Sequence, residues 1–237
     1  FEREARRLSA LRHPNIVRMH DYGQDGERAY IVMEYVRGGT LEQRLRDSGT
    51  LGVQAFVPIA AQILKGVGHA HSRSVVLRDI KASNVMLCNR KGRSDFVMLL
   101  DFGLAKRLHD DDPITREYVM GTAGYIAPEA LRGEPRGLGV DVYALGVLFW
   151  YMLVGKPPFE AEEHAAVFYK TVHEPVPSLQ AAMGPDRVVP PALAELIESC
   201  LAKSPDDRPA DANAIVERLI DAVTARMFRL PRRSDGV

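Results

Sequence analysis

The stretch VYALGVLFWYMLV, Val142 to Val154, carries no charge and would be apolar on every face of a helix. A helix that crosses a bilayer needs about 20 such residues, so this one is too short to span. A helix that is apolar all round and stays in water-exposed surroundings has to be enclosed by other elements. The chain is therefore expected to build a large, mainly helical body around it. It has the material to do so: 237 residues, 46% hydrophobic and 26% charged, enough for one large domain or two closely packed lobes.

Charge narrows the function classes. Lys plus Arg and Asp plus Glu balance at 31 each, so no global field draws the chain to nucleic acid or to an anionic membrane. Any charge-driven function must be local. The two cysteines, Cys88 and Cys200, fit no metal spacing, and so few of them favour a reducing, cytoplasmic compartment. No signal peptide is legible, and the start at Phe1 instead of methionine reads as a fragment of something longer.

Along the chain, FEREARRLSALRH reads as a helix, with Phe1, Ala5, Leu8 and Leu11 on one stripe. NIVRMHDYG and RAYIVMEYV read as two strands joined by a turn at Gly23 to Gly26. Thr40 followed by Gln43 is a capping box that opens a helix to about Asp47. Phe56, Ile59, Ala60, Ile63, Leu64, Val67 and His71 keep a helical period, with Pro58 either kinking that helix or marking a later start. VVL, NVMLC and DFVMLL, between Val75 and Leu104, read as short strands, and proline pairs separate the later helices. The expected class is α+β, with residues 1–36 as a small strand-bearing part, 37–226 as the large helical part and 227–237 as a basic tail.

The chemistry lies in the loops. LRDIKASN places Asp79, Lys81 and Asn84 within six positions, and Asp101 opens DFG after an apolar run. Two carboxylates and an amide carbonyl are oxygen donors suited to a hard cation such as Mg²⁺, which completes its shell with phosphate and water. A lysine beside them adds positive charge where phosphate oxygens would sit. That is the equipment of phosphoryl transfer. Taken singly, Asp-Phe-Gly is a weak signal and a loop Asp–Lys pair is usually a solvated surface pair. Order and spacing together are what carry weight.

Those motifs resemble the protein kinases, in their bacterial serine/threonine branch. LRDIKASN looks like that family's catalytic loop, DFG like its metal-binding triplet, and GTAGYIAPEAL, Gly121 to Leu131, like the end of its activation segment. DVYALGVLFWYMLVGKPPF, opening on Asp141, is similar to its buried central helix, and KSPDDRP to its late arginine motif. IVMEYVRGGTL is similar to the last small-lobe strand and hinge. The resemblance covers nearly the whole chain and implies a two-lobed kinase fold.

It also implies roles. Asp79 would orient the substrate hydroxyl, Lys81 would steady the transferred phosphate, and Asn84 and Asp101 would hold magnesium. Met33 would back the adenine pocket, with the main chain of Glu34 and Val36 bonding the base of ATP. Arg78 would read a phosphate on the activation loop, where Thr115 is the expected phosphosite. Thr122 would bind Asp79 and Lys81, and this segment favours serine or threonine of protein substrates over tyrosine. Phe102 would be packed over the buried positions Leu77, Leu8 and Met19. Glu129 would pair with Arg208, and Asp141 would be structural. Self-association for autophosphorylation fits the same picture.

Two departures from the family pattern matter. Leu77 stands where the family has histidine or tyrosine. No Gly-rich loop or strand lysine precedes the first helix, so Glu4, placed where the family pairs a glutamate with that lysine, has no partner in the chain. The chain as read is expected to leave apolar surface and strand edges uncovered, and to bind ATP poorly by itself. Two other readings stay open: a pseudokinase acting as a binding scaffold, and a small-molecule phosphotransferase of kinase-like fold, which would lack GTAGYIAPE. No membrane segment is legible, although relatives of this kind often carry one elsewhere, and metal sites of the His-Glu-x-x-His type are absent.

Overall fold

The computed structural model describes residues 2–26, 28–90, 92–100, 123–135 and 137–227. Its first part is helix α1, Glu2–Ser9, followed by the antiparallel pair β1, Met19–Asp25, and β2, Arg28–Met33. A second sheet has the order β3–β4–β5, from Gly39–Thr40, Val85–Arg90 and Arg93–Leu99, all antiparallel. Between β3 and β4 run α2, Leu41–Ser48, and α3, Val53–His71. The remainder is helical: α4 Pro128–Leu131, α5 Gly139–Val154, α6 His164–His173, α7 Leu179–Met183, α8 Pro191–Cys200 and α9 Ala212–Met227. Among the described residues no helix is long and apolar enough to cross a membrane.

Helix α5 is the centre, as its sequence demands. From Val140 to Leu153 every residue except Tyr151 is buried, Asp141 included. Gly155 ends it in the left-handed region at φ 87°, its N–H donating to the Tyr151 carbonyl at 2.8 Å. Phe149 meets Phe56 of α3 edge-on, with 5.4 Å between ring centroids. One hydrophobic cluster runs from Ala5, Leu8 and Leu11 of the first part through α3 and α5 to Leu219 and Ala222 of α9.

Local signals predicted several elements well. Thr40 caps α2 through a reciprocal pair: its hydroxyl accepts from the Gln43 N–H at 3.1 Å, and the Gln43 side chain accepts from the Thr40 N–H at 2.9 Å. Thr40→Ala should cost about 1 kcal/mol, read as a lower denaturant midpoint with unchanged slope; an unchanged midpoint would show the box to be dispensable. Helix α3 passes through Pro58 without restarting. Cys88 and Cys200 are buried free thiols. Burial pushes the Cys200 thiol up to about 12 and raises that of Cys88, whose Sγ donates to the Phe96 carbonyl, so neither is a nucleophile at neutral pH.

Three expectations are corrected. The turn foreseen over Gly23 to Gly26 is confined to its far end, because pairing continues to Asp25↔Arg28 and Gly26 turns the chain at φ 60°. Gly23 instead lies under the ring of its partner Tyr30, whose Oη would be 2.6 Å from an added Cβ. The strand foreseen from Asn15 starts only at Met19; Asn15 to Val17 bond to Leu99 of β5, with a parallel bridge at Ile16. VVL forms no strand, for a reason given below. The exposed apolar side chains foreseen on the first part are present: Tyr30 is 44% exposed, Val32 46%, Met33 39% and Tyr35 84%. Among the described residues the β1–β2 sheet has no third strand.

Candidate active site

The loop after α3 is held from inside. Asp141, in the first turn of α5, accepts the main-chain N–H of Leu77 on Oδ2 and of Arg78 on Oδ1, both at 2.7 Å. The Leu77 and Arg78 amides find a carboxylate where a strand would find a neighbouring ladder, and the Val75 N–H bonds to the Ala70 carbonyl, so VVL joins no sheet. Arg78 sits in the left-handed region at φ 63°, unfavourable for a side chain of its size. Two charge-assisted bonds to a buried carboxylate hold it there.

Asp141 is itself oriented. His71 Nε2 lies 3.0 Å from its Oδ2, and both side chains are fully buried. The Ala212 N–H donates to His71 Nδ1 at 3.2 Å, so the ring hydrogen sits on Nε2 and faces the carboxylate. Sequence reasoning places His71 on an apolar stripe and, two residues from His69, off any shared metal-binding face. A histidine closing such a stripe, with no charge partner nearby in sequence, was the available signal.

The loop alternates anchors with working groups. Leu77, Ile80, Ala82 and Val85 are buried, and between them stand Asp79, Lys81 and Asn84. Lys81 Nζ is 2.9 Å from Asp79 Oδ2. Asn84 Nδ2 donates to the same oxygen at 2.8 Å and to the Asp79 carbonyl at 2.9 Å. The Asn84 amide nitrogen is thereby committed to Asp79, which leaves its carbonyl oxygen as the group for an outside partner, a hard donor of the kind magnesium takes. The Asn84 main-chain carbonyl accepts from Leu100 N–H at 2.8 Å, tying β5's end, next to Asp101, to this loop. Among the described residues no three His, Cys, Asp or Glu side chains are close enough to hold a metal without such help.

Asp101, Phe102, Thr115 and Thr122 lie outside the described residues, as does the side chain of Glu4 on α1. Leu8, Met19 and Leu77 are all buried in the main cluster. Met33 ends β2. The N–H of Glu34 donates to the Arg18 carbonyl at 2.8 Å, so a base at this hinge would have to meet the Glu34 carbonyl. Val36 is partly buried and packs beside Met86, Cys88 and Met98.

After residue 122, Tyr125 packs near Ala82, and burial pushes its phenol well above the ordinary value. Glu129 of α4 forms a two-pronged pair with Arg208, at 2.8 and 2.7 Å, almost wholly out of water. The remaining guanidinium hydrogens reach the carbonyls of Gly139, Ala202 and Lys203. All five donors are satisfied. Beside it Lys203, lowered to about 8 chiefly by burial, donates to the Thr171 carbonyl at 2.7 Å and lies 4.0 Å from the Phe159 ring centroid.

The chain is similar to known proteins in sequence and in fold. Residues 1–220 match the protein kinase domain family. The chain is 40% identical to the serine/threonine-protein kinase pkn3 of Myxococcus xanthus over 244 residues, 99% of this chain and 44% of that protein. It is 38% identical to PkaA of Streptomyces coelicolor, over 90% of this chain and 38% of that protein. With PknL of Mycobacterium tuberculosis it shares 32%, over 98% of this chain and 57% of that protein. The chain thus spans about half or less of these relatives. The crystal structure of Rad53 1–466 in complex with AMP-PNP superposes with a TM-score of 0.73 at 28% identity, over 92% of this chain and 53% of that one. The chain belongs to the protein kinase family, among relatives that are bacterial serine/threonine protein kinases.

Proposed function

We propose that this chain carries the phosphoryl-transfer site of a protein kinase that moves the γ-phosphate of Mg·ATP to serine and threonine hydroxyls of proteins. The observation behind this reading is the meeting of Lys81 and Asn84 on one oxygen of Asp79, on a loop clamped by Asp141. The Asp79 carboxylate orients the substrate hydroxyl and takes its proton as the hydroxyl oxygen bonds to the γ-phosphorus and the bond from that phosphorus to the β-phosphate oxygen breaks, leaving ADP. Lys81, already beside Asp79, balances charge on the transferred group. Asn84, through its carbonyl oxygen, and Asp101 would hold magnesium, which would supply positive charge to the phosphate oxygens. The adenine rests at the hinge on the Glu34 carbonyl and the Val36 main chain, behind Met33. ATP as donor places the reaction in the cytoplasm.

Arg78 precedes the catalytic aspartate and reads a phosphate at Thr115, which is added between two copies of the protein. Active protein should show phosphothreonine at position 115 by mass spectrometry, and Thr115→Ala should lower the rate on an added substrate protein. Full activity of Thr115→Ala would remove this part of the reading. The whole reading is tested with labelled ATP and a generic protein acceptor. Label in phosphoserine and phosphothreonine supports it. Label only in phosphotyrosine, or only in small-molecule acceptors, contradicts it.

A further inference from the structure

Away from the catalytic loop, the segment between α1 and β1 meets α3 through the rings of two histidines and a bond from the Asn15 side chain to Gln62 at 3.4 Å. His13 lies in that segment and His69 in the last turn of α3, with 5.1 Å between ring centroids and 37° between planes. Each ring has its Nδ1 occupied by a donor: the Asn15 N–H reaches His13 Nδ1 at 3.1 Å, and Arg73 reaches His69 Nδ1 at 3.3 Å. Both rings are therefore neutral, with their hydrogens on Nε2. The Nε2 of His69 is buried and meets no hydrogen-bond partner among the described residues. A second proton on either ring must go to Nδ1, where it sets a donor against a donor.

The surroundings oppose that proton as well. Burial acts first on both rings, then the neighbouring ring and Lys65 on His13, and Arg73 on His69; both are held below the ordinary histidine value. Glu217 of α9 supplies a carboxylate to the cleft of about 400 Å³ that the pair lines, but it is solvent-exposed there and its charge is screened. Asn15 is the element most directly affected. Its N–H is the bond to His13, its carbonyl accepts from Leu99 N–H, and its side chain donates to the Val97 carbonyl.

We propose that His13 and His69 form an acid-released latch, which pins residues 13–17 to α3 and β5 while both rings are neutral and frees them when His13 is protonated. The latched form binds fewer protons than the released one. Its advantage is therefore complete above the ordinary histidine pKa of about 6.5 and is lost as pH falls below it. Because α1 and β1 flank this segment, the latch makes the seating of the first part on the helical body depend on pH.

Amide hydrogen exchange, corrected for the intrinsic effect of pH, tests this at about pH 7.5 and about pH 5.5, either side of that value. Protection at Asn15 and Ile16 should fall severalfold at the lower pH while α5 keeps its protection. His13→Asn supplies an oxygen that accepts from Asn15 N–H and does not titrate, so it should hold protection at both pH values. Equal protection of the wild type at both pH values overturns the latch, and so does equal loss in α5 or unchanged acid sensitivity in His13→Asn. Should His13→Asn fail to fold, the proton resonances of the two rings decide. Titration below 6.5 supports the latch, and titration at or above the ordinary value overturns it.

Discussion

Replacing Asp79 by asparagine should lower the rate of phosphoryl transfer by about 10²- to 10⁴-fold, the usual contribution of a positioned acid–base group. The fold should survive, because the clamp on the loop is Asp141 and the buried anchors are Leu77, Ile80 and Ala82. Asparagine keeps an oxygen that accepts from the Asn84 amide but loses the charge that holds Lys81. The expected pattern is a fall in kcat with little change in KM for ATP, since an interaction made in the transition state is removed. Thermal unfolding measured alongside separates chemistry from stability. A variant with wild-type kcat would show that Asp79 does not handle the substrate proton.

Arg208→Ala should be the most damaging single change to stability. Glu129 would stay buried without its partner, and three carbonyls would lose a donor. Breaking a buried pair from one side costs about 3–5 kcal/mol, or roughly 6–20 °C in Tm for a chain of this size. Removing both charges with Glu129→Met and Arg208→Met should restore part of that loss, because the uncompensated carboxylate disappears. Restoration would be incomplete, since the carbonyls of Gly139, Ala202 and Lys203 remain unserved. A double variant less stable than Arg208→Ala would mean that the pair contributes net attraction beyond relieving a buried charge.

What could be read from the sequence follows the range of the interactions involved. Helix α5 was legible because its apolar character is complete over four turns, and no other environment suits it. The Thr40–Gln43 box was legible because both partners lie within one turn. Sequence reasoning drew the β1–β2 turn too wide, from Gly23 to Gly26, because Gly23 serves a contact with Tyr30 across the sheet, not a bend. It also drew a strand at VVL, since apolar residues say nothing about what will bond their amides. That partner, Asp141, is 64 residues away from Leu77. A similar distance, 70 residues to Asp141, hid the role of His71, and the bond from the Asn15 side chain to Val97 of β5, 82 residues on, was invisible for that reason. Of the site, Asp79, Lys81 and Asn84 were legible as a group because they share one short loop, and their meeting is a local matter of five residues.

The central claim is that oxygens of Asn84 and Asp101 hold a nucleotide-bound magnesium ion next to the Asp79 carboxylate. Calorimetric titration of the protein with a non-hydrolysable ATP analogue, with and without Mg²⁺, tests it most directly. Magnesium should tighten binding in the wild type, and Asn84→Ala and Asp101→Ala should each weaken the magnesium-dependent part by about tenfold or more. Nucleotide affinity that is indifferent to Mg²⁺ in the wild type and unchanged in both variants would contradict the account.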